Sequence, residues 1–316
     1  MSRFATIEGN APPKDASAAD IMARDGVRLR VGMFPREHAK GTFLVLTGWS
    51  EFIEKYFETI GELHARGFAA IAMDWRGQGL SERFASRPTT SHIDSFSLYK
   101  DDIGRLIEFA EEKQLPKPYY ALTHSMGGAP MLQRLADGET RLRAAVLCAP
   151  LTALAFNRLE TNAIRVLARS AVALRLGNTS VPGQPDTIPP FDETALTSDP
   201  ERYQLYAGLL SQERGHLIRR QTFGWVNAAL NASDDLHREH RFKDLKADVL
   251  IISAGLDRLV SSSDHASLAE RSEKIEQVQI DNARHEILIE SDAIRAVFWK
   301  HVDDFLVRIF EANDDR

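Results

Sequence analysis

The stretch Tyr119–Leu132, YYALTHSMGGAPML, decides how the rest of the chain is read. An apolar strand runs to His124, Ser125 follows, and Met126-Gly127-Gly128 opens a helix. A strand that enters a helix through so short a turn must bend sharply, and small residues near the bend relieve crowding. A serine at the bend has its hydroxyl raised above the C-terminal strand edge. The positive end and free N–H groups of the new helix lie beside it. The usual pattern is G-x-S-x-G; here Thr123 replaces the first glycine, and Ser125-Met126-Gly127 keeps the rest. Taken alone, a glycine-rich turn with an incidental serine remains a respectable reading, so the other parts of a site must be sought.

Outward from this stretch the chain alternates strand and helix. Val27–Phe34 alternates apolar and polar residues, and Thr42–Thr47 (TFLVLT) reads as a strand buried on both faces. Glu51–Arg66 has helical periodicity and stops at Gly67. Strands are expected at Phe68–Asp74, Tyr119–His124, Arg143–Ala149, Asp248–Ala254 and Ile275–Ile280. Helices are expected at Asp94–Lys113, Met126–Ala136, Asp264–Arg271 and Asp292–Phe310. Repeated units of this kind imply a mostly parallel sheet covered by helices, an α/β architecture. The alternation breaks from Pro150 to about Lys246, where helical segments flank the proline-rich loop NTSVPGQPDTIPPFD. The expected organisation is a flexible arm over 1–20, a core formed by 21–149 and 247–316, and an inserted helical cap over 150–246.

The 316 residues hold 39 Lys+Arg against 45 Asp+Glu, a net charge of −6. That excess argues against nucleic acid as the main partner. Cys148 is the only cysteine, so an intramolecular disulfide is excluded. The first twenty residues lack the apolar run of a secretory signal, and no stretch of about 18 apolar residues occurs. The expected location is the cytoplasm, with peripheral contact at the inner membrane face left open. The sequence does not set the oligomeric state.

A serine nucleophile needs a base, the base needs an orienting acid, and the oxyanion needs N–H donors. The loop Thr47-Gly48-Trp49-Ser50-Glu51 follows an early strand, and Gly48 lets its backbone approach a substrate. The Trp49 N–H is the candidate oxyanion donor, paired with the Met126 N–H. Asp257 follows the strand DVLIISA and His285 follows QVQI, in the order Ser, Asp, His. Singly, Asp257 reads equally as a turn acid and His285 as a surface-loop histidine. Jointly, four segments in the right order at C-terminal strand ends point to a triad of Ser125, Asp257 and His285.

The strings LTGWSEFIEKYFETI, MDWRGQGLSER, HIDSFSLYKDD, LTHSMGGAP, SAGLDRLV and ARHEILIE together resemble the bacterial lysophospholipase and monoacylglycerol-lipase-like branch of the α/β-hydrolase superfamily. The resemblance implies an α/β-hydrolase fold with a helical lid. It also implies ester hydrolysis through an acyl-enzyme on single-chain lipids, with no metal and no organic cofactor. Many relatives carry His-Gly where this chain has Thr47-Gly48, which removes one side-chain support of the loop. The rival readings are a serine peptidase or other acyl transferase on the same triad, and a non-catalytic ligand-binding hydrolase fold.

Other features tempt and are set aside. Gly77-Gln78-Gly79 has Glu82 where a dinucleotide fingerprint needs glycine. His237-Arg238-Glu239-His240 lacks metal-protease spacing and reads as a solvated face. His124 points away from Ser125 by strand alternation. Asp74 reads as a turn acid, and His92 as support for the loop before the second helix. In the cap, Ile164, Leu167, Ala168, Ala171 and Leu174 form an expected apolar stripe. Arg158, Arg165 and Arg169 lie on another face, read as solvated.

Overall fold

The computed structural model describes residues 3–84, 88–184 and 187–314. Residues 1–2 of the expected arm and 185–186 of the expected cap lie outside the described residues. The described residues form ten strands: β1 (Ser17–Met22), β2 (Arg28–Phe34), β3 (Thr42–Leu46), β4 (Ala69–Met73), β5 (Thr90–Ser91), β6 (Tyr119–His124), β7 (Leu142–Cys148), β8 (Arg220–Gln221), β9 (Asp248–Ala254) and β10 (Ile275–Ile280). The helices are α1 (Phe57–Ala65), α2 (Phe96–Glu112), α3 (Gly128–Ala136), α4 (Arg158–Ala173), α5 (Pro200–Gln212), α6 (Phe223–Leu236), α7 (Ser262–Ala269) and α8 (Asp292–Asp314). Eight strands make one sheet in the order β1-β2-β4-β3-β6-β7-β9-β10. The pairings from β4 to β10 are parallel, while β1–β2 and β2–β4 are antiparallel.

Every residue of β3, β4 and β6 is buried. That follows from helices on both faces of the sheet and explains why TFLVLT is apolar without alternation. The period of two still sorts side chains by face. Leu44 and Leu46 point toward α2 and α3, among Ile103, Leu106, Met131 and Leu132. Phe43 and Val45 point toward α1 and α8, among Ile60, Leu63, Phe298 and Val302. Burying each such side chain contributes about 1.5–3 kcal/mol before chain entropy is counted. This double cover holds β6 rigid where it delivers Ser125.

Three expectations change in detail. The segment 1–20, read as a loose arm, is tied down over its described residues. Phe4 stacks on Phe34 and meets Phe57 edge-on, and the Ala5 N–H and Asn10 Nδ2 donate to Glu54. Its last residues enter β1. Aromatic partners far along the chain hold it, against its local Ala/Pro/Ser composition. The helix read over Glu51–Arg66 opens with a 3-10 turn at Ile53–Tyr56. The stretch 150–246 is not one separate layer. Its α6 buries Trp225, Ala228 and Leu236 in the same core as Phe96 and Met131, whereas α4 rests outside on α6. A two-stranded pairing of β5 with β8 also joins this stretch to the core.

Candidate active site

Ser125 sits between β6 and α3 with φ of 47°, the left-handed region that a non-glycine residue enters at a cost. The close packing around it explains its small neighbours. A Cβ on Gly127 would lie 2.7 Å from the Thr47 carbonyl oxygen, and one on Gly128 would lie 2.4 Å from Pro150 Cβ. The same Gly128 position is 3.5 Å from Thr123 Oγ1, so the missing side chain at 128 makes room for the threonine that replaces the usual first glycine.

The three residues read as a triad are brought together. Ser125 Oγ is 2.9 Å from His285 Nε2, and His285 Nδ1 is 2.7 Å from Asp257 Oδ2. The other oxygen of Asp257 accepts the N–H groups of Leu259 at 2.8 Å and Val260 at 3.0 Å. Burial pushes the Asp257 carboxyl up. The hydrogen bond and charge of His285 and the two backbone donors outweigh this and hold it below the usual carboxylate range. An ionised Asp257 is an acceptor only, so His285 carries its proton on Nδ1 and presents the bare Nε2 to the serine hydroxyl.

The loop expected to supply the second oxyanion donor is pinned from several sides. Trp75 Nε1 donates to the Thr47 carbonyl at 2.7 Å, and the Gly48 N–H donates to Glu51 Oε2. The Ser50 N–H donates to Gln78 Oε1 at 2.7 Å, with Ser50 at φ 67°. The indole of Trp49 donates to Ser91 Oγ at 2.7 Å. Gly127 packs beneath the carbonyls of Leu46 and Thr47, which brings this loop against the Met126–Gly127 peptide. Thr47 Oγ1 is buried without a hydrogen-bond partner, so the threonine does not replace a supporting histidine side chain. Trp75, Gln78 and Glu51 do that work.

Residues 37–292 match the family model Hydrolase_4, described as serine aminopeptidase, S33. The chain belongs to that family. It is 27% identical to lysophospholipase L2 of Escherichia coli (strain K12) over 302 residues, which is 92% of this chain and 87% of the relative. Among solved structures, a soluble variant of monoglyceride lipase from Saccharomyces cerevisiae, in complex with a substrate analog, superposes with a TM-score of 0.74. The two are 16% identical, over 98% of this chain and 99% of the other. A highly thermostable carboxyl esterase from Bacillus coagulans gives 0.74 at 15% identity, over 93% and 98%. The expected α/β-hydrolase fold is thereby shown.

This S33 family member also carries a group the sequence reading passed over. Glu51, Lys55, His124 and Glu286 are all buried together behind the triad. The ligand atoms of Glu51, His124 and Glu286 lie within 4.8 Å of one another, a spacing that suits a metal ion. Lys55 Nζ, bonded to both Glu51 and Glu286, already supplies a cation there. The signal in the sequence was the opposite charges of Glu51 and Lys55 at i, i+4 spacing. Of the features set aside, Asp74 is a turn acid that accepts from Arg30, the Ile53 N–H and the Leu80 N–H. His92 Nδ1 lies 2.8 Å from Thr222 Oγ1 and so bridges the loop before α2 to the start of α6. His237 pairs with Asp264, and His240 is solvated.

Proposed function

We propose that the protein is a serine carboxylic-ester hydrolase acting on single-acyl-chain lipids, of the lysophospholipid or monoacylglycerol type. The observation that carries the reading is the unbroken chain of hydrogen bonds from Ser125 through His285 to Asp257, at a serine held in the left-handed region. His285 Nε2 takes the hydroxyl proton as Ser125 attacks the ester carbonyl. The Trp49 and Met126 N–H groups receive the oxyanion, the leaving alcohol is protonated by His285, and water then cleaves the acyl-enzyme. This chemistry asks for no cofactor. The lysophospholipase and monoglyceride lipase named among the relatives support the lipid class.

The segment 150–246 is proposed as the cap over the site. Its α4 turns Leu159, Val166 and Leu167 to solvent, with Phe156 just before it and Leu174 just after. This surface supports peripheral contact with a lipid interface as the place where substrate is met. Among the described residues no helix is long and apolar enough to cross a membrane. The test is hydrolysis of lysophosphatidylcholine and a monoacylglycerol of equal chain length by wild type and Ser125→Ala. A fluorophosphonate probe that labels only the wild type reports the nucleophile. Activity on acetyl esters alone would leave a small-ester hydrolase. The family's aminopeptidase description favours one second reading, amide cleavage on the same triad. Faster turnover of aminoacyl amides than of every ester would put it first.

A further inference from the structure

The buried charge cluster behind the triad has no part in the steps above. Glu51 comes from the loop after β3, Lys55 from the 3-10 turn, His124 from the end of β6, and Glu286 from the residue after His285. Glu51 Oε1 accepts from Lys55 Nζ at 2.6 Å and lies 2.9 Å from His124 Nδ1. Its Oε2 accepts from Tyr56 Oη at 2.5 Å and from the Gly48 N–H. His124 Nε2 lies 3.2 Å from the carbonyl oxygen of His285, and Lys55 Nζ reaches Glu286 as well.

Both ring nitrogens of His124 therefore face acceptors, a carboxylate and a carbonyl. Only an imidazolium donates to both. With His124 charged, the cluster balances two carboxylates against two cations. Burial works against that charge, but Glu51 and Glu286 outweigh it and raise the His124 pKa. Burial likewise opposes ionisation of Glu51, and His124 with Lys55 brings it well below the carboxylate range. Glu286 is the weaker acid, pushed up by burial and by Glu51.

Buried ion clusters stabilise poorly relative to apolar packing of the same volume. The placement of this one is more telling than its energy. One end holds the Gly48 N–H, one residue ahead of the Trp49 donor, and the other holds the main chain of the base itself. We propose that Glu51 is a positioning residue, which sets the oxyanion loop directly and the His285 backbone through His124, so that the two halves of the site keep one mutual geometry. The inference rests on the serine-hydrolase reading above. Misplacement of reacting groups by about 1 Å can cost on the order of 10²-fold in rate.

The test compares wild type with Glu51→Gln, Glu51→Asp and His124→Asn. Each is titrated with a fluorophosphonate to count competent sites, then assayed on p-nitrophenyl butyrate across pH 5 to 10. Each is also bound to a trifluoromethyl ketone of the same acyl chain. Glu51→Gln should lower kcat per titrated site by about 10- to 100-fold with KM within about two-fold. It should weaken the ketone by the same factor as kcat/KM. The His124 charge is present below its folded pKa and lost as pH rises through it. That imidazole faces Glu51, Lys55, Glu286 and His285, and the His124 backbone is in register with Cys148 on β7. Loss of the Glu51 charge should therefore move the alkaline limb to lower pH. Glu51→Asp should keep that limb while losing kcat, because the shorter arm no longer reaches Gly48.

Wild-type turnover per titrated site in Glu51→Gln, even with a lowered melting temperature, would overturn the proposal and leave Glu51 a structural residue. If Glu51→Gln does not fold, His124→Asn decides: slower labelling and turnover per site support the proposal, and unchanged rates overturn it. A wild type that neither labels nor hydrolyses the ester sinks the hydrolase reading instead, and that outcome is distinct from the others.

Discussion

The loops that carry Ser125, Asp257 and His285 and the exposed helix α4 spend their residues in opposite ways. In the loops the three reacting side chains are bonded in series, and Asp257 has both oxygens occupied. Helix α4 is well made locally, with a capping box between Asn157 and Glu160. Yet it buries only Ala168 and Ala171, which let it lie close on α6. Leu159 is 81% exposed and Leu174 70% exposed. One exposed leucine needs no explanation, but several on one helix do. The geometry of the chemistry is thus set inside the core, whereas the proposed contact with a lipid phase falls to a helix that the core hardly holds.

Changes at the loops should act on chemistry alone, with the largest effects. Ser125→Ala should lose on the order of 10⁶-fold in kcat, the scale seen when a triad serine is removed from subtilisin. Circular dichroism should show an intact fold, and near-wild-type turnover would remove Ser125 from the mechanism. Asp257→Asn should lose about 10⁴-fold. Its carbonyl oxygen must face the Leu259 and Val260 N–H groups, so its amide N–H₂ would point at His285 Nδ1 and force the wrong tautomer. A loss under about ten-fold, with Glu286 or Asp281 essential instead, would move the orienting acid elsewhere.

The parts that sequence reading reached share one property: each was written in a local pattern. The strand–serine–glycine bend of β6 and α3 is contiguous, and Asp257 and His285 sit just past strands whose apolar runs mark their ends. What escaped depends on contacts across the chain. Glu51 and His124 are 73 residues apart, and neither predicts the other. The composition of 1–20 reads as loose because Phe4 finds Phe34 and Phe57 only in the folded state. Periodicity placed an apolar stripe on α4 but not the neighbour it faces. The alanines of that stripe turned inward, and Leu167 and Leu174 outward. Of the arginines read as solvated, Arg158 and Arg169 are exposed, whereas Arg165 bonds Asp234 at the surface.

Between the two regions lies a seam. The segment 194–199 is stitched to the loop of the base. Arg284 Nη1 donates to the carbonyls of Thr194 at 3.2 Å and Thr197 at 2.9 Å, and the Glu286 N–H donates to the Leu196 carbonyl at 2.9 Å. Glu290 accepts from the N–H groups of Ser198 and Arg284. Arg284→Ala should cost about 1–3 kcal/mol of stability and lower kcat roughly ten-fold, a barrier rise of about 1.4 kcal/mol. Chemical denaturation and kinetics on a soluble ester check both. An unchanged kcat beside a clear stability loss would show that the seam fastens the proposed cap without serving the base.

The smallest effect on chemistry should come from α4, and there the comparison is sharpest. Leu159→Ser combined with Leu167→Ser removes apolar surface that already faces water, so stability should move by no more than about 0.5 kcal/mol per site. kcat/KM on a soluble butyryl ester should stay within about two-fold. Binding to phosphatidylcholine vesicles should fall, because a fully transferred leucine contributes about 1.5–3 kcal/mol and the pair together approach 10²-fold or more in partition. Hydrolysis of lysophosphatidylcholine presented in those vesicles should fall in parallel. An arginine near an anionic surface adds about 1 kcal/mol, but Arg165 is engaged with Asp234 and Arg169 lies within 3.8 Å of the same carboxylate. Mixed anionic vesicles should therefore strengthen binding only modestly, and salt should reverse that gain. If the double variant instead lost activity equally on soluble and vesicle-borne substrate, α4 would belong to the acyl-binding wall of the site and not to a lipid-facing surface.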